Sequence, residues 1–280
     1  SCLTMEASPT SANMYMPDAD PLFAQLADFR SIFELPWDAA LAEFNARATL
    51  CMANQRELAA AWTSYALDHA GTLANASAGF GNSTNAWVAG YIDETSAPSN
   101  FDPALSIERG QLWPYTRRIA SIFRCPEDSS GRIVAGQRRQ RVRSYSMNLM
   151  ISNEGDGGNW NSASQWLIYT NKSQVDRDLP AARFILADEH PASINDGELV
   201  VSMTGYPNRP TATFMVDFPA SYHEGAGALV FADEHAEIHA WADLRTSPPY
   251  TGNPLSLNVP QPSNPDIRWL QERTTRSLKP

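Results

Sequence analysis

The feature that most constrains the fold of this sequence is a run of apolar side chains spaced three and four residues apart. Such spacing puts side chains on one face of a helix, so it predicts a long amphipathic helix over residues 37–69. Asp38 suits the positive end of the helix dipole, and Gly71 is a natural C-terminal cap. The stripe consists of Leu41, Phe44, Ala48, Cys51, Leu58, Trp62 and Tyr65, and Gln55 interrupts it.

The chain ahead of that helix predicts an arm with a shorter helix. Residues 1–20 are polar and contain several prolines. Residues 21–34 carry a second apolar stripe, and Pro36 breaks or kinks the chain between the two helices. The predicted organisation is an arm with a short amphipathic helix (1–35), a long helix (36–71) and a β-rich globular domain (72–280). The second stripe contains Leu22, Leu26, Phe29 and Phe33.

The remainder of the chain favours strands and long loops. β-branched and aromatic residues bounded by Gly, Asn or Pro predict strands in 143–150, 166–170 and 183–187. Residues 226–241 predict a β-hairpin that turns at Asp233-Glu234. Residues 111–124 predict a short helix. The expected fold class is therefore α+β, with a long N-terminal amphipathic helix packed on an antiparallel β-sheet and extended, loop-rich β insertions.

Charge and hydropathy exclude several partners. The formal net charge of −10 repels nucleic-acid phosphates, and the basic run at 138–143 is typical of a solvated face. No stretch reaches the roughly 18 apolar residues that a transmembrane helix needs, so we expect no transmembrane segment. No intact signal peptide is present, which suggests a processed form. Ser1-Cys2 suits a lipoprotein cleavage site, although an interchain disulfide or a free thiol at Cys2 fits equally.

Besides Cys2, the sequence has Cys51 on the predicted long helix and Cys125 after the predicted short helix. In an oxidising compartment they form a plausible disulfide that fastens the helix to a later segment. The alternative is a pair of buried thiols. Sequence separation does not decide between them.

Histidines and acidic residues concentrate in the second half of the chain. These are ligands for zinc or another transition metal, and carboxylates beside Asn195 would suit calcium. The other interpretation is that they are hydrogen-bonded turn residues, which the lack of a dense motif such as His-Glu-x-x-His favours. The candidate metal ligands are Asp188, His190, Asp196, His223, Asp233 and His235.

The sequence contains no motif that predicts an enzyme. A Gly-x-Ser-x-Gly nucleophile elbow, a phosphate-binding loop and a dinucleotide fingerprint are all missing from it. We therefore name no catalytic residue.

A set of ordered motifs carries a family resemblance. His223 is followed, after nine intervening residues, by Asp233, and related segments occur at 51–55, 123–128, 143–148, 188–197, 231–241 and 264–270. In these motifs, which extend from about residue 36 to the end, the chain resembles the prepilin-type, type II secretion pseudopilin-like proteins with the His-x9-Asp-Gly processing-associated motif. Glu234 stands where that family has Gly.

The resemblance implies a pilin-like fold, export to the cell-envelope surface or beyond, and self-assembly into a homo-oligomer or filament. It implies no enzymatic activity. The N terminus departs from the family, because an amphipathic segment with charged residues replaces the apolar one. An alternative is a soluble or lipid-anchored envelope module that binds calcium or a glycan on the same scaffold. The expected assembly residues are Leu22, Leu26, Phe29, Phe33, Leu41 and Phe44.

Overall fold

The computed structural model describes residues 21–77, 84–152 and 160–279, and of residues 21–41 it describes the backbone alone. The chain divides into two compact units, Ser1–Asn45 and Ala46–Pro280. The boundary between them falls inside the first helix.

Helix α1 extends from Pro21 to Asp68. It passes through Pro36, so one helix replaces the two that the sequence predicts. Ala and Leu make up seven of the twelve residues 39–50, and their high helix propensity continues the helix past the proline. The predicted cap is confirmed, because Gly71 has a φ of 85° and its N–H donates to the carbonyl of Ala66 at 2.7 Å. This bond closes the last turn of the helix.

Five strands form the central sheet, in the order β5-β3-β4-β7-β8. Its pairs are antiparallel except β3 with β5, which are parallel. Two further pairs, β1 with β2 and β6 with β9, stand apart from it. The strands are β1 Gly131–Val134, β2 Gln137–Gln140, β3 Tyr145–Asn148, β4 Phe184–Asp188, β5 Glu198–Leu199, β6 Phe214–Met215, β7 Ala226–Phe231, β8 Ala236–Ala240 and β9 Val259–Pro260.

The hairpin of β7 and β8 is confirmed. Ala228 lies opposite Ile238, and the N–H of Phe231 donates to the carbonyl of His235 at 2.9 Å across the predicted turn. Strands β3 and β4 confirm two further predictions. The predicted strand at 166–170 is wrong, since this segment makes only isolated bridges, from Trp166 and Tyr169.

The predicted helix at 111–124 is also wrong, because two short 3-10 turns occupy this segment. Arg117 and Arg118 both adopt positive φ between those turns. The left-handed conformation ends any right-handed helix there.

The C-terminal part of α1 packs on the central sheet. Leu58 and Trp62 share one buried cluster with Met147 of β3, Ile185 of β4 and Val230 of β7. The fold is therefore mixed α and β, with a long helix against a largely antiparallel sheet.

Two short helices complete the fold, α2 Lys172–Asp176 and α3 Pro265–Thr274. Helix α3 buries Leu270 against Phe184 and Leu229, on the other hydrophobic cluster of the sheet. Within the part of the chain that the structure describes, no helix combines the length and apolarity required to cross a bilayer. This agrees with the predicted lack of a transmembrane segment.

Candidate metal centre

Four buried side chains from distant parts of the sequence meet between α1 and the sheet. Cys51 lies on α1 and Asp188 is the last residue of β4. Cys125 follows a 3-10 turn, and His223 precedes β7. Their potential ligand atoms lie within 4.8 Å of one another, and each residue is at most 3 % exposed.

The distances within this cluster suit a tetrahedral ion. His223 Nε2 lies 3.3 Å from Asp188 Oδ2, Cys125 Sγ lies 3.5 Å from His223 Nε2, and Cys51 Sγ lies 3.8 Å from Asp188 Oδ2. A tetrahedron with zinc bond lengths of about 2.0–2.3 Å has edges of about 3.3–3.8 Å. These three distances fall within that range, and all four atoms lie within 4.8 Å of one another.

One ring nitrogen of His223 makes both short contacts. A catalytic Cys-His-Asp triad requires the carboxylate on one imidazole nitrogen and the thiol on the other. Here Asp188 and Cys125 both converge on Nε2. This arrangement does not match a triad, and it is compatible with four ligands around one cation.

Surrounding groups orient the ligand atoms. Asp188 Oδ2 accepts from the N–H of Ala228 at 2.9 Å, and Asp188 Oδ1 accepts from Gln55 Nε2 at 3.3 Å. Tyr145, which lies opposite Asp188 in the sheet register, contacts Cys51 Sγ through its hydroxyl at 3.4 Å. Such outer contacts fix ligand rotamers before an ion binds.

Burial and mutual hydrogen bonding shift the protonation equilibria of the cluster. Burial raises the pKa of the Cys51 thiol far above its usual value, and its contact with Cys125 and the charge of Asp188 raise it further. Burial lowers the pKa of His223, but hydrogen bonds with Asp188 and Cys125 outweigh this and raise it to about 10. A bound cation would displace these protons, since thiolate and neutral imidazole are the ligating forms.

Of the six predicted metal ligands, the structure brings together Asp188 and His223. His190 lies elsewhere, where its Nδ1 accepts from the N–H of Ala192 at 3.1 Å. Asp196 accepts from the N–H of Glu198 at 3.3 Å. Asp233 and His235 pair with each other in the hairpin turn. These four residues have the loop-fastening role of the alternative interpretation.

The predicted disulfide is corrected. Cys51 and Cys125 are free, buried cysteines, and their sulfur atoms are candidate ligands that the predicted set does not include. A signal for this existed in Gln55, the polar interruption of the apolar stripe. It lies one helical turn after Cys51, on the same face, where it reaches Asp188.

The predicted assembly residues belong mostly to the undescribed part of the molecule. The side chains of Leu22, Leu26, Phe29, Phe33 and Leu41 lie outside the described residues, whereas Phe44 is described and half-buried. Their role therefore stays a prediction.

The chain matches no protein-family model, no curated protein and no solved structure. The resemblance to pseudopilin-like proteins therefore remains an inference from the sequence motifs.

Proposed function

We propose that this protein is an exported structural subunit of the pilin or pseudopilin type, which assembles with copies of itself through the N-terminal half of α1. The observation that carries the proposal is that the two halves of this one helix differ in their packing. Residues from Cys51 to Ala66 supply buried side chains to the core. The same helix begins at Pro21, well before the compact unit that begins at Ala46.

The apolar stripe of the N-terminal half supports self-association. An isolated helix is marginally stable in water, and a helix with a continuous apolar stripe is stabilised mainly by packing that stripe against a partner. Residues 42–50 are exposed apart from the half-buried Phe44 and Ala48, both of which lie on the predicted stripe. A second copy offers a stripe of matching spacing.

The burial of the side-chain cluster supports a structural role over a catalytic one. A catalytic metal site keeps a coordination position open for water or substrate. In this cluster all four positions of a tetrahedron would be taken by Cys51, Cys125, Asp188 and His223. Calcium, which prefers six to eight oxygen ligands, fits this set poorly because two of the four atoms are sulfur.

The experiment is light scattering and negative-stain microscopy of the full chain over a range of concentrations. We expect oligomers or filaments whose mass rises with concentration. Leu26→Glu with Phe29→Glu adds two charges to the predicted stripe and should shift the protein to monomers. Ala24→Glu with Ser31→Glu adds the same charge to the opposite helix face and should leave assembly intact. A wild-type chain that stays monomeric at every concentration contradicts the proposal.

A second candidate function, glycan binding, is favoured by one cavity. It has a volume of about 220 Å³ and is lined by tyrosines, serines and His190. Aromatic rings beside hydroxyl donors suit a sugar. Tyr250→Ala should abolish binding on a glycan array, and equal binding by wild type and variant would remove this candidate.

A further inference from the structure

We infer that Cys51, Cys125, Asp188 and His223 bind one zinc ion in a closed structural site that fastens α1 to the central sheet. This inference does not depend on the proposed assembly function. It stands on the convergence of the four ligand atoms, on their spacing and on their burial.

The ligand chemistry selects the class of metal. Two sulfur atoms disfavour magnesium and calcium, which bind oxygen. One imidazole and one carboxylate disfavour a copper(I) or iron–sulfur site, for which an all-sulfur set is usual. Zinc accepts sulfur, nitrogen and oxygen together in a tetrahedron and has no geometric preference of its own.

The surroundings make the site structural. Each of the four ligands is at least nine-tenths buried, and the protein supplies a complete tetrahedral shell. Asp188 is held from outside by Ala228 and Gln55, as carboxylate ligands of metals usually are.

The ion would join segments that the chain itself leaves far apart. Cys51 and Asp188 are separated by 137 residues, and Cys125 and His223 by 98. An ion that binds only the folded arrangement shifts the unfolding equilibrium by its own binding free energy. Removing it should loosen the contact of α1 with the sheet.

The experiment begins with the wild-type full chain, purified under reducing conditions without chelator. Elemental analysis should find one zinc per chain, and cobalt(II) exchanged into the site should give tetrahedral d–d bands with thiolate-to-cobalt charge transfer. Treatment with a strong chelator should lower the melting temperature by roughly 5–10 °C, and added zinc should restore it.

Two buried aspartates provide a matched pair of variants. Asp188→Asn removes a ligand and should weaken zinc binding by more than the roughly 10–100-fold typical of outer contacts. Asp217→Asn changes an equally buried carboxyl, which accepts from the N–H of Val200 at 2.7 Å and lies outside the cluster. It should retain one zinc per chain.

Three results would overturn the inference. One is a wild-type chain that takes up neither zinc nor cobalt and melts identically with chelator. Another is a Cys51–Cys125 disulfide in the reduced preparation, detected as thiols that stay unreactive in denaturant with chelator. The third is full zinc retention by both Asp188→Asn and His223→Gln. Should the variants fail to fold, the wild-type cobalt spectrum decides by itself.

Discussion

The chain contains the tripeptide Asp-Glu-His twice, and the two copies have opposite environments. Asp188-Glu189-His190 is buried, with each residue at most 2 % exposed. Asp233-Glu234-His235 forms the exposed turn of the β7–β8 hairpin, where Asp233 and His235 pair with each other. The first copy supplies a candidate metal ligand, and the second supplies a turn.

The comparison shows that the position of each copy relative to its strand determines what its side chains contact. Asp188 ends β4 beside β3 and β7, so it lies opposite Tyr145 in the sheet register and its carboxylate accepts from the N–H of Ala228. Asp233 lies beyond the end of β7, and its carboxylate accepts a hydrogen bond from the backbone N–H of His235 in the same turn. Identical side chains therefore act as part of a buried network in one place and as a solvated turn in the other.

The largest expected effect comes from exchanging the two aspartates for asparagine. Asp188→Asn breaks a buried charged network and should lower the free energy of unfolding by about 3 kcal/mol. Asp233→Asn weakens an exposed pair and should cost below ~0.5 kcal/mol. Urea denaturation of both variants measures the gap. Equal losses of unfolding free energy in the two variants would contradict the claim that the buried copy contributes more to stability than the exposed one.

A smaller effect is expected from Gln55→Ala. Gln55 donates to Asp188 without being a ligand, and loss of such an outer contact typically weakens metal binding about 10–100-fold. Competition with a zinc-binding dye measures the affinity. Thr63→Ala, on the same helix but bonded to the exposed Glu234, is the control and should bind zinc as wild type does. If Gln55→Ala bound zinc with the affinity of the wild type, Gln55 would have no role in holding the metal ligands.

A gain in stability is expected from replacing Glu234, the middle residue of the exposed Asp-Glu-His copy, by glycine. Glu234 has a φ of 71°, a conformation that costs a non-glycine residue roughly 1–2 kcal/mol. Glycine loses roughly 0.5–1 kcal/mol of chain entropy on folding, so Glu234→Gly should stabilise by about 0.5 kcal/mol. Thermal melts compare it with Thr63→Ala, which removes the same Thr63–Glu234 hydrogen bond. A Glu234→Gly variant that melts below wild type, and no higher than Thr63→Ala, contradicts this.

The smallest effect concerns pH. Burial raises the pKa of Asp233, but hydrogen bonds from the side chain and backbone of His235 outweigh this and lower it. A depressed acid pKa contributes stability above the unfolded value of about 3.9, and this contribution is lost as the pH falls through the folded value. The small difference between wild type and Asp233→Asn should therefore be present at neutral pH and vanish in acid. A difference that grows in acid would reverse the sign.

Much of the fold could be predicted from local sequence patterns. The helix over residues 37–69, the Gly71 cap and the hairpin of β7 and β8 depend on neighbouring residues, and these predictions are confirmed. The segment at 166–170 has strand-like residues but only single-bridge partners. Whether such a segment becomes a strand depends on the rest of the chain.

Only two of the four residues in the side-chain cluster could be predicted as metal ligands from the sequence. Asp188 and His223 were candidates because of their residue types, but the register of β3, β4 and β7 brings them to the two cysteines. That register is a long-range property which spacing along the chain does not contain. Gln55 within an apolar stripe was the one local sign that α1 carries a polar contact at this level.

The most direct test of the account is X-ray absorption at the zinc edge on the wild-type chain, purified under reducing conditions. The account predicts two sulfur neighbours at about 2.3 Å and two nitrogen or oxygen neighbours at about 2.0–2.2 Å. A zinc shell made only of nitrogen and oxygen, or a preparation that binds no zinc, would contradict it.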